Sequence, residues 1–378
     1  MAEFIQFHLL TSYPPANLNR DDLGRPKTAM LGGTQRLRVS SQSLKRAWRT
    51  SEVFVERLKG HIGTRTKDLG NHCYKEFVKR KVDPDRADAA AKKIAEVFGK
   101  LKGSPTVSES PEEGSANRSK KGKARTLGED GAAKAASNAR QIEQLAHISA
   151  AEWASIETLI RRIAENSEPS EKDYTALLTA GHGSADIALF GRMLADSPAF
   201  NIEAAAQVAH GISVHRVTIE DDYFTAVDDL NRGEEDMGAG HIGTTEFAAG
   251  LFYLYLCVNR SLLIDNLDGN AGLASLAVRA VGEACATVAP SGKQNSFASR
   301  ARASYMLAER GDQQPRSLAV AFLRAVAGED MLAQSIEVLQ QTCGRMDAVY
   351  GQCARDRRSF DAHAGTGTLA EVLDFIGT

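Results

Sequence analysis

Basic residues spaced to meet an anion gather at one place, Thr34–Thr50 (TQRLRVSSQSLKRAWRT). Arg36 and Arg38 alternate with Leu37 and Val39, so a strand here puts both arginines on one face and both aliphatics on the other. Ser40 and Ser41 follow where an N-cap is wanted, ahead of a helical run with Leu44, Ala47 and Trp48. Lys45 and Arg49 are four apart and share a helix face. Gly32 and Gly33 precede the strand and permit close backbone approach to a ligand. A helix N-terminus flanked by cations suits a phosphate backbone. The alternative is an ordinary strand–turn–helix with a solvated basic face, and spacing alone favours that plainer reading.

Other chemistry is thinner. Asp21 and Asp22 beside Arg20 could hold Mg²⁺ against a phosphate, but a loop salt bridge or polar loop contact is the commoner use of such a pair. His210 and His215 are five apart; metal ligation is one reading and satisfied structural histidines the more frequent one. The chain has no G-x-x-x-x-G-K-[ST], no strand-linked G-x-G-x-x-G and no H-E-x-x-H, so no nucleotide, metal or other cofactor is expected.

These residues sit in a chain of 378 residues, 43% hydrophobic and 25% charged, which suffices for two or three domains or one large domain with insertions. The net charge is −2, so no global basicity announces nucleic acid. Residues 1–50 differ: eight Lys or Arg stand against three acids, a local net of +5. Five scattered cysteines without a C-x-x-C, and an N-terminus without a basic n-region, suggest a reduced cytoplasmic protein. No stretch approaches the roughly 20 apolar residues of a membrane span.

Along the chain, Glu3–Thr11 alternates Ile5, Phe7 and Leu9 against Gln6 and His8, a half-buried strand. Ser12–Gly33, with Pro14, Pro15, Gly24 and Pro26, reads as a long loop. Helices are expected over His72–Lys81, Asp85–Gly99 and Ser149–Asn166, the last with a Ser149/Glu152 capping box and an apolar stripe through Trp153, Ile156, Ile160 and Ile163. Residues 102–131 are rich in Ser, Pro, Gly, Glu and Lys and should form a disordered or very mobile loop; its cluster Arg118, Lys120, Lys121, Lys123 and Arg125 is a solvated linker or a non-specific duplex contact. Ala185–Met193 reads as a strand and Glu203–Val214 as a helix or helix–strand junction. Val217–Asp236 holds eight acids and one Arg, followed by the glycine-rich Gly238–Gly243. A protruding hairpin with Tyr223, Phe224 and Val227 on it would be a docking surface. Thr245–Asn259 is the strongest strand, Gly269–Val288 an apolar helix, Gly292–Arg302 a basic loop leading into a strand, and Leu318–Ala327 and Asp330–Gln341 helical. The sum is an α+β arrangement with a helical and a hairpin insertion, whose sheet could present RNA on an open face.

Six runs, in order, resemble one family. They are NLNRDD (Asn17–Asp22), GG-x-x-R-x-R-V-S-S-Q-S-L-K-R-A (Gly32–Ala47), ALFGRM (Ala188–Met193), YFTAVDDL (Tyr223–Leu230), HIGTTEF (His241–Phe247) and GKQNSF (Gly292–Phe297). They are similar to the CasC family, the repeated backbone subunit of Cascade in subtype I-E CRISPR systems. The resemblance implies a modified RNA-recognition-motif (ferredoxin-like) palm from residues 1–59, 185–214 and 245–378, with helical fingers at 60–184 and a β-hairpin thumb at 215–244. It implies a non-enzymatic subunit that stacks in copies, six in the family, along CRISPR RNA. Target DNA and other Cascade subunits are implied partners, a nuclease-helicase is recruited indirectly, and no membrane is involved. Arg20, Lys27, Ser40, Gln42, Lys45 and Arg49 fall where the family contacts guide phosphates. Met193 falls where it wedges near a flipped base, and Phe224 and Thr225 at the thumb tip. Lys293 and Gln294 become further RNA or neighbour contacts, and Arg118–Arg125 a candidate DNA contact by charge alone. Arg36 and Arg38 stay open, since their face could equally meet the next subunit. Two competing functions remain: a metal-dependent endoribonuclease using Asp21 or Asp22, as relatives in other CRISPR types do, and a stand-alone RNA-binding regulator.

Overall fold

The computed structural model describes residues 3–102, 129–179, 183–226 and 241–378, with backbone alone for 129–133 and 241. The Arg118–Arg125 cluster and the acids from Asp228 to Asp236 lie outside the described residues. In chain order the strands are β1 (Phe4–Ala16), β2 (Thr28–Leu31), β3 (Thr34–Val39), β4 (Thr64–Thr66), β5 (Ala146–Ile148), β6 (Ala206–Val208), β7 (Gly211–Ser213), β8 (Glu220–Ala226), β9 (His241–Asn259), β10 (Ala303–Gly311) and β11 (Asp356–Asp361). The helices are α1 (Ser41–Arg49), α2 (Glu52–Arg57), α3 (Leu69–Lys79), α4 (Pro84–Phe98), α5 (Glu129–Ala139), α6 (Ala150–Ala164), α7 (Glu171–Thr175), α8 (Ala185–Phe190), α9 (Arg260–Asn266), α10 (Ala271–Thr287), α11 (Gln294–Phe297), α12 (Met331–Tyr350) and α13 (Leu369–Gly377). They form two compact units. The first is Met1–Lys59, Ala188–Phe190 and Ala204–Thr378; the second is Gly60–Ile187 and Gly191–Glu203.

The first unit is built on a nine-stranded antiparallel sheet of order β11-β10-β1-β9-β7-β3-β2, with β6 and β8 also pairing with β9. The aromatic and apolar run of β9 makes it the longest strand, and it serves four partners. β1 runs further than its prolines suggest. Its register with β9 slips between Tyr13 and Ala16, so Pro14 and Pro15, which cannot donate to a ladder, fall in the irregularity. The expected loop Ser12–Gly33 therefore shrinks to the segment between β1 and β2.

β1 is also buried on both faces rather than one. Ile5, Phe7 and Leu9 pack on one side, and a Cβ on Gly282 of α10 would press on the Phe7 ring and on Ile376 of α13. Gln6 and His8 are equally inaccessible, because α12 and the short 3₁₀ turn Ala319–Phe322 cover the other side. That turn replaces most of the helix expected over Leu318–Ala327.

In the second unit, Leu69 and Phe77 of α3, Ile94 and Phe98 of α4, Ile148 of β5 and Ile156 and Ile160 of α6 form the core. The capping box is present: Ser149 Oγ accepts from Glu152 N (3.1 Å), and Ser149 N donates to Glu152 Oε2 (2.8 Å). Ala185–Met193 is not a strand. Its first part is α8, with Asp186 in the first turn accepting from Gly63 N (2.8 Å), and Gly191 at φ 80° ends the helix. Glu203–Val214 is not helical either; β6 and β7 use it to pair with β9. β8 and the start of β9 form a hairpin ladder, Glu220↔Phe247 to Ala226↔His241, exposing Tyr223, Phe224 and Ile242.

Candidate nucleic-acid interface

Helix α1 sits where the alternation of β3 ends. Leu44 and Trp48 anchor it, each 1% exposed, and its other faces carry Gln42, Lys45, Arg46 and Arg49. Ser40 is the N-cap, its Oγ accepting from Ser43 N (3.3 Å). Its own N–H is held by Asn19 Oδ1 (2.9 Å). Ser41 N donates to His210 Nδ1 (3.0 Å), which leaves Gln42 N as the open donor of the first turn among the described residues.

The segment from Asn17 to Lys27 folds back on this terminus. Asn17 Nδ2 donates to Gly24 O and Glu246 O (2.9 Å each), Lys27 N to Asn19 O, and Arg38 N to Lys27 O (2.8 Å each). Arg20 faces solvent opposite Pro26, while Lys27 and Arg38 are neighbours across the β2–β3 pairing. His210 feels both: burial lowers its pKa first, and the charges of Arg38 and Lys27 add to that. Positive groups thus crowd the positive end of a helix dipole whose first turn has no acid. Lys45 is half-buried with Nζ 6.0 Å from the Phe190 ring centre, and burial lowers its pKa. Among the described residues Arg20, Lys27, Arg38 and Lys45 form no ion pair.

The loop before β10 joins the same surface. Gly292 lies so close to the Asn17–Leu18 backbone that a Cβ would meet Leu18 O at 2.1 Å. Lys293 follows in the left-handed conformation (φ 45°), its Nζ donating to Thr245 Oγ1 (2.8 Å). Gln294 Oε1 accepts from Ser299 Oγ (3.0 Å), so its amide NH₂ remains to donate.

The other sequence candidates separate. Met193 lies in the second unit, 73% exposed, and with Leu145 lines a cavity of about 220 Å³. Phe224 and Thr225 sit on the β8–β9 hairpin, where the Phe224 ring covers Gly243. Arg36 leaves the set. It is fully buried, donating from Nη1 to Ser213 O (3.1 Å), from Nη2 to Phe322 O (3.0 Å) and Leu323 O (3.4 Å), and from Nε to Thr34 Oγ1 (2.8 Å). It cannot meet another subunit. Asp21 holds its own turn through one carboxylate oxygen, Oδ1 accepting from Leu23 N (3.0 Å) and Arg25 N (2.8 Å). His215 Nε2 accepts from Leu251 N (3.1 Å), and among the described residues no group of three or more His, Cys, Asp or Glu could hold a metal ion. What the sequence reading missed is Arg38 with His210: only the β3–β7 pairing, Arg38↔Ile212, brings them together.

No curated protein matches the chain in sequence. Two solved chains match over 99% of their length and of this one. One is from a "CRISPR RNA-guided surveillance complex, pre-nicking" (TM-score 0.76, 29% identity), the other from a "CRISPR RNA-guided surveillance complex" (TM-score 0.66, 25% identity). The family described as CT1975-like protein matches residues 5–373. With nearly the whole chain matched, the protein belongs to the CT1975-like family, a Cascade backbone-type component of CRISPR systems.

Proposed function

We propose that this protein is a non-catalytic, cytoplasmic backbone subunit that binds CRISPR RNA along its phosphates and stacks on it beside further copies and other Cascade subunits. The bases stay open to pair with target DNA, so pairing reads sequence while the protein reads backbone and shape. In this reading the sheet of the first unit is the RNA-recognition-motif-like palm, residues 60–184 the fingers and 215–244 the thumb. The observation that carries it is the cationic terminus of α1: Lys27 and Arg38 crowd a helix N-terminus with no acid in its first turn, close enough to disfavour protonation of His210 beside them. A multiply charged anion relieves that repulsion. Arg20, Ser40, Gln42, Lys45, Arg49, Lys293 and Gln294 complete the phosphate path. Met193, Phe224 and Thr225 would act on a displaced base, through a flexible thioether and an exposed ring. The acids Glu220, Asp221 and Asp222 beside Phe224 repel phosphate and favour a neighbouring subunit. Asp21 Oδ1 braces its own turn, a structural use of the side chain that favours the scaffold over an endoribonuclease.

The test is the double variant Lys45→Ala/Arg49→Ala, titrated with guide RNA across a salt series. Affinity should fall with little sequence dependence, and the slope of log affinity against log salt should flatten by about 1.4, two single-strand phosphate contacts. An unchanged slope rejects the cradle.

A further inference from the structure

A groove of about 720 Å³ opens in the first unit between the α1–α2 junction, the end of α10 and the segment Arg300–Arg302. Resting on the reading above, we infer that this groove is a second nucleic-acid site, which carries the same single-stranded RNA past α1. Three observations support it.

The first is the hydrogen-bonding character of the lining. Three of the four hydroxyls on its walls use their protons internally, Thr50 Oγ1 donating to Arg46 O (2.8 Å), Ser51 Oγ to Trp48 O (2.7 Å) and Thr287 Oγ1 to Glu283 O (2.7 Å), and Ser291 is the fourth. What remains to meet a ligand is largely donors: the exposed guanidinium groups of Arg300 and Arg302 and the amide NH₂ of Gln294. Neither arginine forms an ion pair among the described residues, and the nearby Glu283 is already paired with Arg57. Glu52 is the one acid in the lining, so two cations face a single carboxylate. Planar donor groups of this kind fit phosphate oxygens.

The second is the floor. Val53, Val288 and Ala301 are half-buried and give an apolar surface on which a sugar or base can lie. The third is continuity. Gln294 belongs to both places: it lines the groove, and it follows Lys293, whose loop is pressed through Gly292 onto the Asn17–Leu18 backbone. The chain turns into the groove at Ala298, a non-glycine residue at φ 48°, as Lys293 is at φ 45°. Two left-handed residues in six positions store strain of about 1 kcal/mol each, the kind of cost that persists where a loop is shaped for contact.

The test uses the full chain and fluorescein-labelled oligouridylate, read by anisotropy over a salt series. Arg300→Ala/Arg302→Ala should melt like the wild type, bind about tenfold more weakly, and flatten the salt slope by about 1.4. Arg300→Lys/Arg302→Lys should retain most of the slope, and Glu52→Gln should raise affinity about twofold. Photocrosslinking with 4-thiouridine RNA should label the peptide spanning Thr287–Arg302. If the arginine-to-alanine variant binds like the wild type while Lys45→Ala/Arg49→Ala weakens, the groove is not on the RNA path and the cradle stands. If neither variant weakens, the cradle itself fails and the groove with it. A groove variant that binds RNA normally but no longer co-assembles on it assigns the groove to a protein neighbour and overturns the inference.

Discussion

The first unit holds two collections of charge that are organised in opposite ways. Behind β1 the charges close on each other. Glu309 is fully buried and accepts from Arg316 Nη1, Arg357 Nε (2.6 Å each) and His8 Nε2 (3.1 Å), while Asp347 takes second contacts from both arginines. Burial alone would raise the Glu309 pKa; the hydrogen bonds and charges of its partners instead hold it far below the usual carboxylate range. His8 stays neutral, because burial opposes its protonation and Arg316 and Arg357 add repulsion to that. Its tautomer follows: Nε2–H donates to Glu309, and Nδ1 accepts from Tyr253 Oη (2.8 Å), which itself accepts from Leu318 N. Around the N-terminus of α1 the cations are arranged differently. Arg20, Lys27, Arg38 and Lys45 have no counter-charge among the described residues, and the helix terminus adds to their field. A self-satisfied network fixes a fold; an unsatisfied one of a single sign holds its place only because the fold imposes it, and it is completed by a ligand.

The largest effect should come from opening the closed network. Glu309→Gln leaves the half-buried Arg316 and Arg357 with Asp347 as their one remaining carboxylate and should cost about 3 kcal/mol in urea denaturation. RNA affinity of the folded fraction should be unchanged. The pH dependence has a definite sign. A depressed carboxylate contributes stability above its ordinary value of 4.5 and loses it as pH falls toward the folded value. The stability gap between wild type and variant should therefore narrow below pH 4.5; a constant gap would mean that Glu309 acts by shape and not charge.

Arg36 lies between the two classes, a buried cation whose partners are carbonyls. It ties β3 to Ser213 and to the Phe322–Leu323 backbone, against which Gly32 is so close that a Cβ would meet Leu323 O at 1.6 Å. Arg36→Met fills the space but strands these acceptors and should cost about 3 kcal/mol, seen as a lower urea midpoint. Should RNA binding by the folded variant fall as well, Arg36 belongs with the open array after all.

How far the sequence reveals this contrast depends on how local the cause is. The β3–α1 junction was legible because alternation, serine caps and an apolar pair act within a few residues. So were the α6 capping box and the long apolar run of β9. What failed was set from a distance. α8 read as a strand because the contact that seats its first turn, Asp186 with Gly63, spans 123 positions. Gln6 and His8 read as a solvent face because nothing near them foretells the cover of α12. Arg36 and Arg38 were equivalent by alternation, yet one is buried under the Ala319–Phe322 turn and the other lies beside His210. The open array was visible as local charge, since basic residues outnumber acids eight to three over residues 1–50. The closed network was not, since its members run from His8 to Arg357.

The smallest effect separates best, because Ser40 serves both structure and array. Its hydroxyl caps α1 and its N–H is fixed by Asn19 Oδ1, so Ser40→Ala should lose about 1 kcal/mol in thermal unfolding and fray the first turn. Weaker RNA binding in that variant alone would be ambiguous, since fraying also displaces Gln42 and Lys45. Two further substitutions resolve it. Ser40→Asn keeps a capping oxygen without charge and should restore both the melt and the affinity. Ser40→Asp caps as well and gains from the helix dipole, so its melt should equal or exceed the wild type. It also places a carboxylate where the phosphate would lie, and affinity should fall about tenfold, roughly 1.4 kcal/mol. Stability and binding then move in opposite directions from one side chain, which a purely structural role for the α1 terminus cannot produce. An Asp variant that binds RNA as tightly as the wild type would remove that terminus from the RNA path and leave the cations of Arg20, Lys27 and Arg38 without a common ligand.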